Sequence, residues 1–359
     1  MSKLTVLCMD RANDKPDMRA KEPVVEVVSC MLCQEPKFTE QIKQRDVNLS
    51  LTDQLFTVVS CDGCGLLYLN PRPTAQEIHA YYPAQYYSLS GTVHRKAIDR
   101  VLKRFSKLLK KGIREEFYGY PASSHASFRS LLRRILLYPE YLHLKFAGRE
   151  SIPFRGAGRI LDVGCGSGKM LVDLREQGWE VYGVDFSPVA VDYAKGQHGL
   201  DVRLGDLFQA GYQDGFFDVV MFNHSLEHIY NPLETLKEAN RILKPGGLLV
   251  ISIPNAGGLE AKMFGKWWVQ WDTPRHLYHF TKATMRRLVT SAGFRLGGIK
   301  DGVGTTFFLG SIDAVYKHVI HRKGGHGALM KHLIARPLCL MAGHLGYGSE
   351  MKVYAEKVG

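Results

Sequence analysis

The chain has 359 residues, of which 45% are hydrophobic and 23% are charged, a composition typical of globular proteins and sufficient for two domains. It contains no uninterrupted apolar run of about 18 residues and no N-terminal secretory pattern, which argues against a membrane-spanning helix and favours a cytoplasmic location. The formal net charge of +12 is uneven, because residues 92–150 hold 14 Lys/Arg against 5 Asp/Glu, whereas residues 155–300 hold 17 against 15.

The N-terminal part divides into a polar extension, residues 1–23, which we expect to be flexible, and a segment, residues 24–90, with two Cys-x-x-Cys pairs. The 27 residues between the pairs are enough for a β-hairpin, and two such pairs can surround a Zn²⁺ ion tetrahedrally. Seven cysteines in a cytoplasmic chain favour metal or thiol chemistry over disulfides. We therefore predict a structural zinc domain, with buried reduced cysteines or a redox pair as the alternative. The predicted ligands are Cys30, Cys33, Cys61 and Cys64.

Residues 91–154 are predicted to form a basic helical linker or cap. Apolar residues repeat at helical spacing over His94–Arg114, basic residues occupy the opposite face, and a second apolar and basic stretch covers Phe128–Tyr138. Such helices either cap a core with a solvated charged face or contact an anionic membrane or another polyanion. Both interpretations stay open at this point.

From residue 155 onward, strands and helices alternate, which predicts a parallel α/β core over residues 155–302. The predicted strands are Arg159–Val163, Glu180–Asp185, Asp201–Leu204, Phe217–Phe222, Leu248–Ile253, Phe294–Lys300 and Met351–Glu356. Ser187 and Thr281 are expected to cap the helices that follow strands two and five. An insertion, residues 303–349, precedes the final core strand within residues 350–359 and suits either a lid or a surface anchor.

The first core strand leads into the glycine-rich turn Gly164–Gly168 and then into a helix. Glycines let the backbone turn tightly and approach a ligand, and a helix N-terminus offers free N–H groups. The third glycine comes one residue earlier than in the dinucleotide-binding fingerprint, and Asp162 precedes the turn, so a cationic, amino-acid-like ligand is favoured over a pyrophosphate. Asp185 ends strand two, where a carboxylate can accept both ribose hydroxyls, and Asp206 follows strand three, where it can meet an adenine edge.

Together these elements resemble the class I S-adenosylmethionine-dependent methyltransferases. The matching segments are Leu161–Gly168, Gly183–Asp185, Gly205–Leu207, Phe217–Val220, Ser225–His228 and Leu243–Gly247. The resemblance implies a Rossmann-like seven-stranded sheet whose last strand is antiparallel and lies between strands five and six. It also implies that Gly164 and Gly166 contact the methionine part of the cofactor, Asp185 the ribose and Asp206 the adenine. The predicted cofactor-binding set is Asp162, Gly164, Cys165, Gly166, Gly168, Asp185, Phe186, Asp206, Leu207 and Asn223.

Two further segments resemble bacterial methyltransferases of polysaccharide, glycolipid and secondary-metabolite pathways. One is the cysteine segment with the tyrosine-rich stretch Tyr81–Tyr87 that follows it, and the other is Trp271-Asp272-Thr273-Pro274-Arg275-His276. The related sugar C-methyltransferases carry a further Rossmann-like domain after the last core strand, for which this chain has no room, so C-methylation is disfavoured. The tyrosines could line an acceptor pocket or pack between domains.

Methyl transfer to a hydroxyl needs alignment and a base, and histidine is the natural base near neutral pH. Glu227 and His228 follow strand four at the carboxyl edge of the sheet, where α/β proteins bind ligands. His276 lies in the aromatic stretch Lys266–Phe280, which suits a lid that closes over an acceptor. We favour His228 as the base and His276 as an acceptor-positioning group, although Glu227 could be the inward residue and each histidine could be structural.

The sequence therefore predicts methyl transfer from S-adenosylmethionine to a hydroxyl of a saccharide, glycolipid or secondary-metabolite acceptor. The alternatives are N-methylation of an amino sugar, an RNA-binding or RNA-modifying protein, and a binding-only protein with the same fold. Nucleic acid is the less favoured partner, because the cysteine segment lacks the interleaved aromatic and basic residues of RNA-binding modules. Peripheral contact with the inner face of an anionic membrane is an open expectation.

Overall fold

The computed structural model describes residues 24–83, 97–121, 127–146, 150–321 and 330–359. The predicted extension, residues 1–23, and most of the tyrosine-rich stretch, residues 84–87, lie outside these ranges. Within the described ranges, no helix is long and apolar enough to cross a membrane. Two larger sheets organise the chain, one of seven strands and one of four.

Residues 24–83 form the N-terminal module, which contains five short strands. They are β1 (Val25–Glu26), β2 (Phe38–Gln44), β3 (Phe56–Cys61), β4 (Leu67–Leu69) and β5 (Arg72–Pro73). Strands β2 and β3 pair antiparallel, so the β-hairpin expected between the two cysteine pairs is confirmed. A two-residue strand from far along the chain, β11 (Tyr278–His279), pairs with β4 and completes the four-stranded sheet.

A helical hairpin follows the module and consists of α1 (Ala97–Phe117) and α2 (Ser127–Phe146). The two helices pack through Ile113, Leu137 and Leu144, and the rings of Phe117 and Tyr141 stack with centroids 4.2 Å apart. The two predicted helices are therefore present. Helix α1 ends three residues after the predicted end at Arg114, α2 ends eight residues after the predicted end at Tyr138, and residues 94–96 of the first prediction lie outside the described ranges. Their apolar positions face each other because residues three and four apart share one face of a helix.

The central sheet contains seven strands and has the order β12-β13-β10-β9-β6-β7-β8. The strands are β6 (Arg159–Val163), β7 (Glu180–Asp185), β8 (Asp201–Leu204), β9 (Phe217–Asn223), β10 (Leu243–Pro254), β12 (Phe294–Gly302) and β13 (Glu350–Lys357). Strand β13 runs antiparallel between β10 and β12, whereas β6, β7, β8, β9 and β10 are parallel. The predicted topology, with its antiparallel last strand, is confirmed.

Helices cover the central sheet and extend the fold beyond it. They are α3 (Lys169–Arg175), α4 (Pro188–His198), α5 (Pro232–Ile242), α6 (Leu259–Phe264), α7 (Lys282–Ser291), α8 (Thr305–His318) and α9 (Arg336–His344). The caps predicted from the sequence are present, because the Oγ of Ser187 accepts the amide of Ala190 and the Oγ1 of Thr281 accepts that of Thr284. Helices α8 and α9 belong to the predicted insertion.

One hydrophobic cluster fills the space between the N-terminal module and the central sheet. Tyr68 and Tyr81 enter it from the module, Phe222 and Leu249 from the sheet, and Trp268 from the segment that joins them. All five side chains are at most 3% exposed. The module is therefore fixed against the carboxyl edge of the central sheet by a shared core, with the buried apolar area acting as the main attractive contribution.

Candidate active site

The glycine-rich turn connects β6 to α3 and leaves space on one side. Gly164 adopts φ +80°, and a Cβ at this position would overlap the side chain of Ser225, so both conformation and close packing require glycine. Gly166 adopts φ +53°, but a Cβ there would meet no heavy atom within 4 Å. This open side forms a cradle in which a ligand can approach the backbone.

Two carboxylates lie beside this cradle. Asp185 accepts the amide of Gly166 at 2.7 Å through Oδ2 and that of Ser187 at 2.9 Å through Oδ1. Asp162 is 2% exposed, and its Oδ1 has no hydrogen-bond partner among the described residues. Burial, together with the nearby charge of Asp185, raises the pKa of Asp162 to about 7. A cationic ligand would stabilise the ionised form of Asp162, so these two carboxylates and the open backbone at Gly166 fit the amino-acid part of S-adenosylmethionine.

The other predicted cofactor residues differ in what they present. Phe186 is 38% exposed and lies against Tyr82, with ring centroids 5.3 Å apart, whereas Asp206 is exposed and bonds the amide of Gln209. The side chains of Cys165 and Leu207 are buried, at 8% and 2% exposure, so their backbone alone is available to a ligand. Asn223 is half-buried at the end of β9, and Gly168, like Gly166, has a positive φ.

Glu227, His228 and His276, the three predicted catalytic residues, meet in one place. Their ligand-type atoms all lie within 4.8 Å of one another, and the rings of His228 and His276 have centroids 4.6 Å apart. Glu227 and His228 follow β9 in a short helical turn, while His276 comes from the segment before β11. The fold thus joins residues that are about 50 positions apart in the sequence.

The ring of His228 is oriented by two oxygen atoms. Its Nδ1 lies 3.0 Å from the carbonyl oxygen of Arg275 and 2.9 Å from the hydroxyl of Tyr82. The hydroxyl can donate or accept, whereas a carbonyl can only accept, so the contact with Arg275 favours the tautomer with the proton on Nδ1 and the lone pair on Nε2. Burial is the larger cause and the nearby charge of His276 the second of a lowered pKa of His228, about 4, so the ring is neutral at pH 7.

Glu227 is 1% exposed, and neither of its carboxylate oxygens has a hydrogen-bond partner in the described structure. His224 lies between this carboxylate and Glu350, with Nδ1 3.7 Å from the first and Nε2 3.6 Å from the second. Burial opposes the charge on His224, but the two carboxylates outweigh it and raise the pKa of this ring. Sequence reasoning missed His224; its position directly after a strand at the carboxyl edge was the available signal.

Most of the aromatic stretch Lys266–Phe280, including all of residues 270–280, is buried in a joint with the N-terminal module, and the prediction of a lid over the acceptor is wrong. Trp268, Thr273 and Arg275 are 0% exposed, and the stretch supplies β11 to the sheet of the N-terminal module. His276 is 5% exposed and its Nδ1 bonds the carbonyl oxygen of Gln270 at 2.8 Å. The composition suggested a lid because aromatic residues suit both a mobile cover and a packed interface.

The four cysteines predicted to bind zinc converge in the N-terminal module. The Sγ atoms of Cys30 and Cys64 are 3.5 Å apart, those of Cys33 and Cys61 are 3.4 Å apart, and all four lie within 4.8 Å of one another as free thiols. Zn–S bonds of about 2.3 Å in a tetrahedron place neighbouring sulfurs about 3.8 Å apart, so the cluster fits Zn²⁺.

Residues 93–297 match the family model described as a methyltransferase domain, and this segment contains the glycine turn, Asp185 and the Glu227–His228 pair. The chain belongs to the methyltransferase domain family. The match starts within the segment before α1 and ends in β12, and it leaves out the N-terminal module and the insertion.

Curated relatives share the core of this methyltransferase. It is 33% identical over 165 residues to a ubiquinone biosynthesis O-methyltransferase of Maricaulis maris, with 44% of this chain and 63% of that protein covered. It is 28% identical over 163 residues to a "Probable S-adenosylmethionine-dependent methyltransferase" of Mycolicibacterium smegmatis, with 43% and 60% covered. The chain thus spans less than two thirds of these relatives. A solved S-adenosylmethionine-dependent methyltransferase from Mesorhizobium loti is 18% identical, with 61% of this chain and 97% of that chain covered and a TM-score of 0.42.

Proposed function

We propose that this methyltransferase transfers a methyl group from S-adenosylmethionine to a hydroxyl group of an acceptor. The observation that carries the proposal is the neutral ring of His228, whose Nδ1 lies against a carbonyl oxygen, at the carboxyl edge where the cofactor cradle lies. A hydroxyl acceptor needs a base of this kind, because the oxygen must lose its proton as the new bond forms.

When bound, S-adenosylmethionine supplies a methyl group activated by a sulfonium. Asp162 and the open backbone at Gly166 would hold its amino-acid part, and Asp185 would accept the ribose hydroxyls. Asp185 is already oriented for this role by its bonds to the amides of Gly166 and Ser187. Phe186, half exposed beside the same strand end, offers an apolar face for the remainder of the cofactor.

His228 would take the proton of the acceptor hydroxyl at Nε2. The resulting imidazolium would be stabilised by the carboxylate of Glu227 and by the carbonyl oxygen of Arg275 at Nδ1. His276 would position the acceptor, since its ring lies beside that of His228 and its Nδ1 is held by the carbonyl oxygen of Gln270. Tyr82 completes one wall between His228 and Phe186.

The acceptor class we propose is a hydroxylated saccharide, glycolipid or secondary metabolite. The choice of oxygen is supported by the name of the O-methyltransferase relative, and the wider acceptor class rests on the resemblance of the N-terminal and Trp271–His276 segments. N-methylation of an amino sugar is the rival within the same chemistry. An amine acceptor whose nitrogen is already neutral needs alignment alone, so the base should then be dispensable.

The test is an acceptor panel in which formation of the demethylated cofactor is measured. Phenols, neutral saccharides and amino sugars are compared as acceptors, and the wild type and His228→Gln are assayed in parallel. We expect turnover with a hydroxyl acceptor and a loss of about 10²–10⁴ in rate in the variant. Methylation confined to amines and insensitive to His228→Gln would contradict the proposal, and RNA that co-purifies with a high 260/280 absorbance ratio would favour the nucleic-acid alternative.

We also propose that the cysteine cluster binds one structural Zn²⁺. A tetrathiolate site has no open position, so its expected contribution is folding of the N-terminal module. The module in turn supplies Tyr82 and a shared hydrophobic core to the active site. Loss of zinc is therefore expected to disturb the surroundings of the base.

The helical hairpin is proposed to contact anionic membranes. Leu132, Ile135 and Leu136 lie three or four positions apart on α2 and are 55%, 60% and 71% exposed. Exposed basic residues lie along α1, including Lys107, Lys110 and Lys111. Exposed apolar residues beside positive charge suit the interface of an anionic bilayer, where each basic residue contributes about 1 kcal/mol.

A further inference from the structure

Arg275 joins the N-terminal module to the catalytic cluster through a buried ion pair. Its side chain is 0% exposed and lies between two carboxylates, with Nη2 2.6 Å from Asp46 Oδ1 and 2.6 Å from Asp272 Oδ1. Asp46 belongs to the turn after β2 and is itself fixed, because it accepts the amides of Leu49 and Leu51. The guanidinium therefore ties the joint to a rigid turn of the module.

The backbone of the same residue faces the proposed base. The carbonyl oxygen of Arg275 is 3.0 Å from Nδ1 of His228, and Tyr82, also from the module, lies 2.9 Å from that nitrogen. The backbone amide of His276, which belongs to the same peptide unit as that carbonyl, donates to the carbonyl oxygen of Asp272 at 3.1 Å. Side chain and backbone thus both hold the peptide unit at one position relative to the imidazole.

We propose that Arg275 is a positioning residue that fixes the tautomer of His228, with Asp46 of the N-terminal module as the anchor that holds it. The inference rests on the proposed function, in which Nε2 of His228 receives the acceptor proton. An imidazole whose Nδ1–H is held by a carbonyl presents an unprotonated Nε2, whereas a ring released from that bond also populates the opposite tautomer. In that tautomer Nε2 carries a proton and is not a base.

The chemistry of the side chain explains why arginine stands here. A guanidinium offers several donors in a rigid plane and can bond two carboxylates at once, whereas a lysine ammonium acts as a single flexible charge. Nε and Nη2 of Arg275 bond the two oxygens of Asp272, and Nη1 and Nη2 reach Asp46. Arg275→Lys therefore keeps a positive charge but loses the forked geometry.

The experiment is nitrogen-15 NMR of histidine side chains on the full chain without cofactor or acceptor, since it reports which ring nitrogen carries the proton. His228→Gln assigns the signal. The groups that face the ring are Glu227, His276, Asp272, Tyr82 and the Arg275 carbonyl, and none is replaced in the main variant. We expect the wild type at pH 7.5 to show a single Nδ1–H tautomer.

Asp46→Asn is the main variant, because the amide is the same size as the carboxylate and its remaining oxygen can still accept one of the two amides of its own turn. We expect a mixture of tautomers in this variant and in Arg275→Lys. The midpoint of His228 titration should fall, because the Arg275 carbonyl stabilises the protonated ring. Lys317→Gln is the matched control, since Lys317 contacts Ser50 of the same turn from an exposed position. Lys317→Gln should leave both the tautomer and the titration midpoint of His228 unchanged.

Two results would overturn the proposal. One is a nitrogen-15 signal of His228 in the wild type that shows the proton on Nε2, a result that can be obtained without any variant. The other is a folded Asp46→Asn protein whose tautomer and midpoint match the wild type, because a merely structural role lowers stability without moving either reading. Failure of the proposed hydroxyl methylation would be seen in the acceptor panel and would leave the tautomer measurement unaffected, so the two failures are distinguishable.

Discussion

Replacing Asp185 by asparagine is expected to weaken binding of S-adenosylmethionine by a factor of about 10²–10³. Both oxygens of the carboxylate already accept backbone amides, from Gly166 at 2.7 Å and from Ser187 at 2.9 Å. Their remaining lone pairs would serve the two ribose hydroxyls. In the variant one oxygen becomes an NH₂ group, which can no longer accept from Gly166 or from a hydroxyl.

The magnitude follows from these contacts. A hydrogen bond to a charged group contributes about 1.5–3 kcal/mol, and a bond between neutral groups contributes about 0.5–1.5 kcal/mol. The variant loses one charged bond to the ribose and keeps the other only as a neutral bond, so the loss amounts to about 2.5–4.5 kcal/mol. Since 1.4 kcal/mol is a factor of ten in affinity, the expected change is about two to three decades. The demethylated product should lose the same factor, because its ribose is identical.

Isothermal titration calorimetry of wild type and variant with both ligands measures this effect. Asp201→Asn is the matched control, since it makes the same chemical change at an exposed position that begins β8. Circular dichroism verifies that both variants are folded. A folded Asp185→Asn protein that binds either ligand within about twofold of the wild type would refute the ribose assignment.

Three further predictions concern other parts of the molecule. In elemental analysis, Cys61→Ser should reduce the bound zinc from about one ion per chain to none, and its melting temperature should fall because structural zinc contributes about 10–16 kcal/mol to folding. The control variant Cys339→Ser should keep its zinc. Zinc retained by Cys61→Ser would exclude the tetrathiolate site. The rate of the wild type should fall as the pH drops through about 4, the pKa of His228, because protonation removes the base. His228→Gln should lose this acidic limb of the pH–rate profile, whereas His276→Gln should keep it. An acidic limb kept by both variants would exclude His228 as the base. Flotation with acidic liposomes should recover the wild-type protein at low salt. Replacement of Lys107, Lys110 and Lys111 by glutamine should abolish recovery, while the same replacement at Lys43, Lys195 and Lys237 should not. If the wild type is not recovered, the helical hairpin is a cap on the core and not a membrane contact.

The central sheet could be predicted from the sequence because its signals are local. The first three core strands occur at the predicted bounds, and the first two have buried ends that lead into a glycine or stop at an acidic residue. The antiparallel position of β13 was implied by family resemblance and not by any local pattern. In the candidate site, Glu227 and His228 could be placed at the cofactor edge because they follow β9 directly.

The parts that could not be predicted depend on distant contacts. Strand β11 has only two residues, too few for a periodic pattern, and its partner β4 lies about 210 positions earlier in the chain. The ion pair between Asp46 and Arg275 spans 229 residues, so neither charge signals the other in the sequence. Burial of Lys266–Phe280 follows from these long-range contacts, which is why its composition alone led to the wrong prediction of a lid.

The pairing of β4 with β11 has a consequence for the order in which the chain folds during synthesis. The N-terminal module leaves the ribosome first, but the edge of its sheet stays open until residues 278 and 279 have been translated. At about 5–20 residues per second, that delay is on the order of 10–40 s, during which β4 exposes unpaired backbone groups. The sheet of the module is therefore completed late, when the segment that carries His276 has also been synthesised.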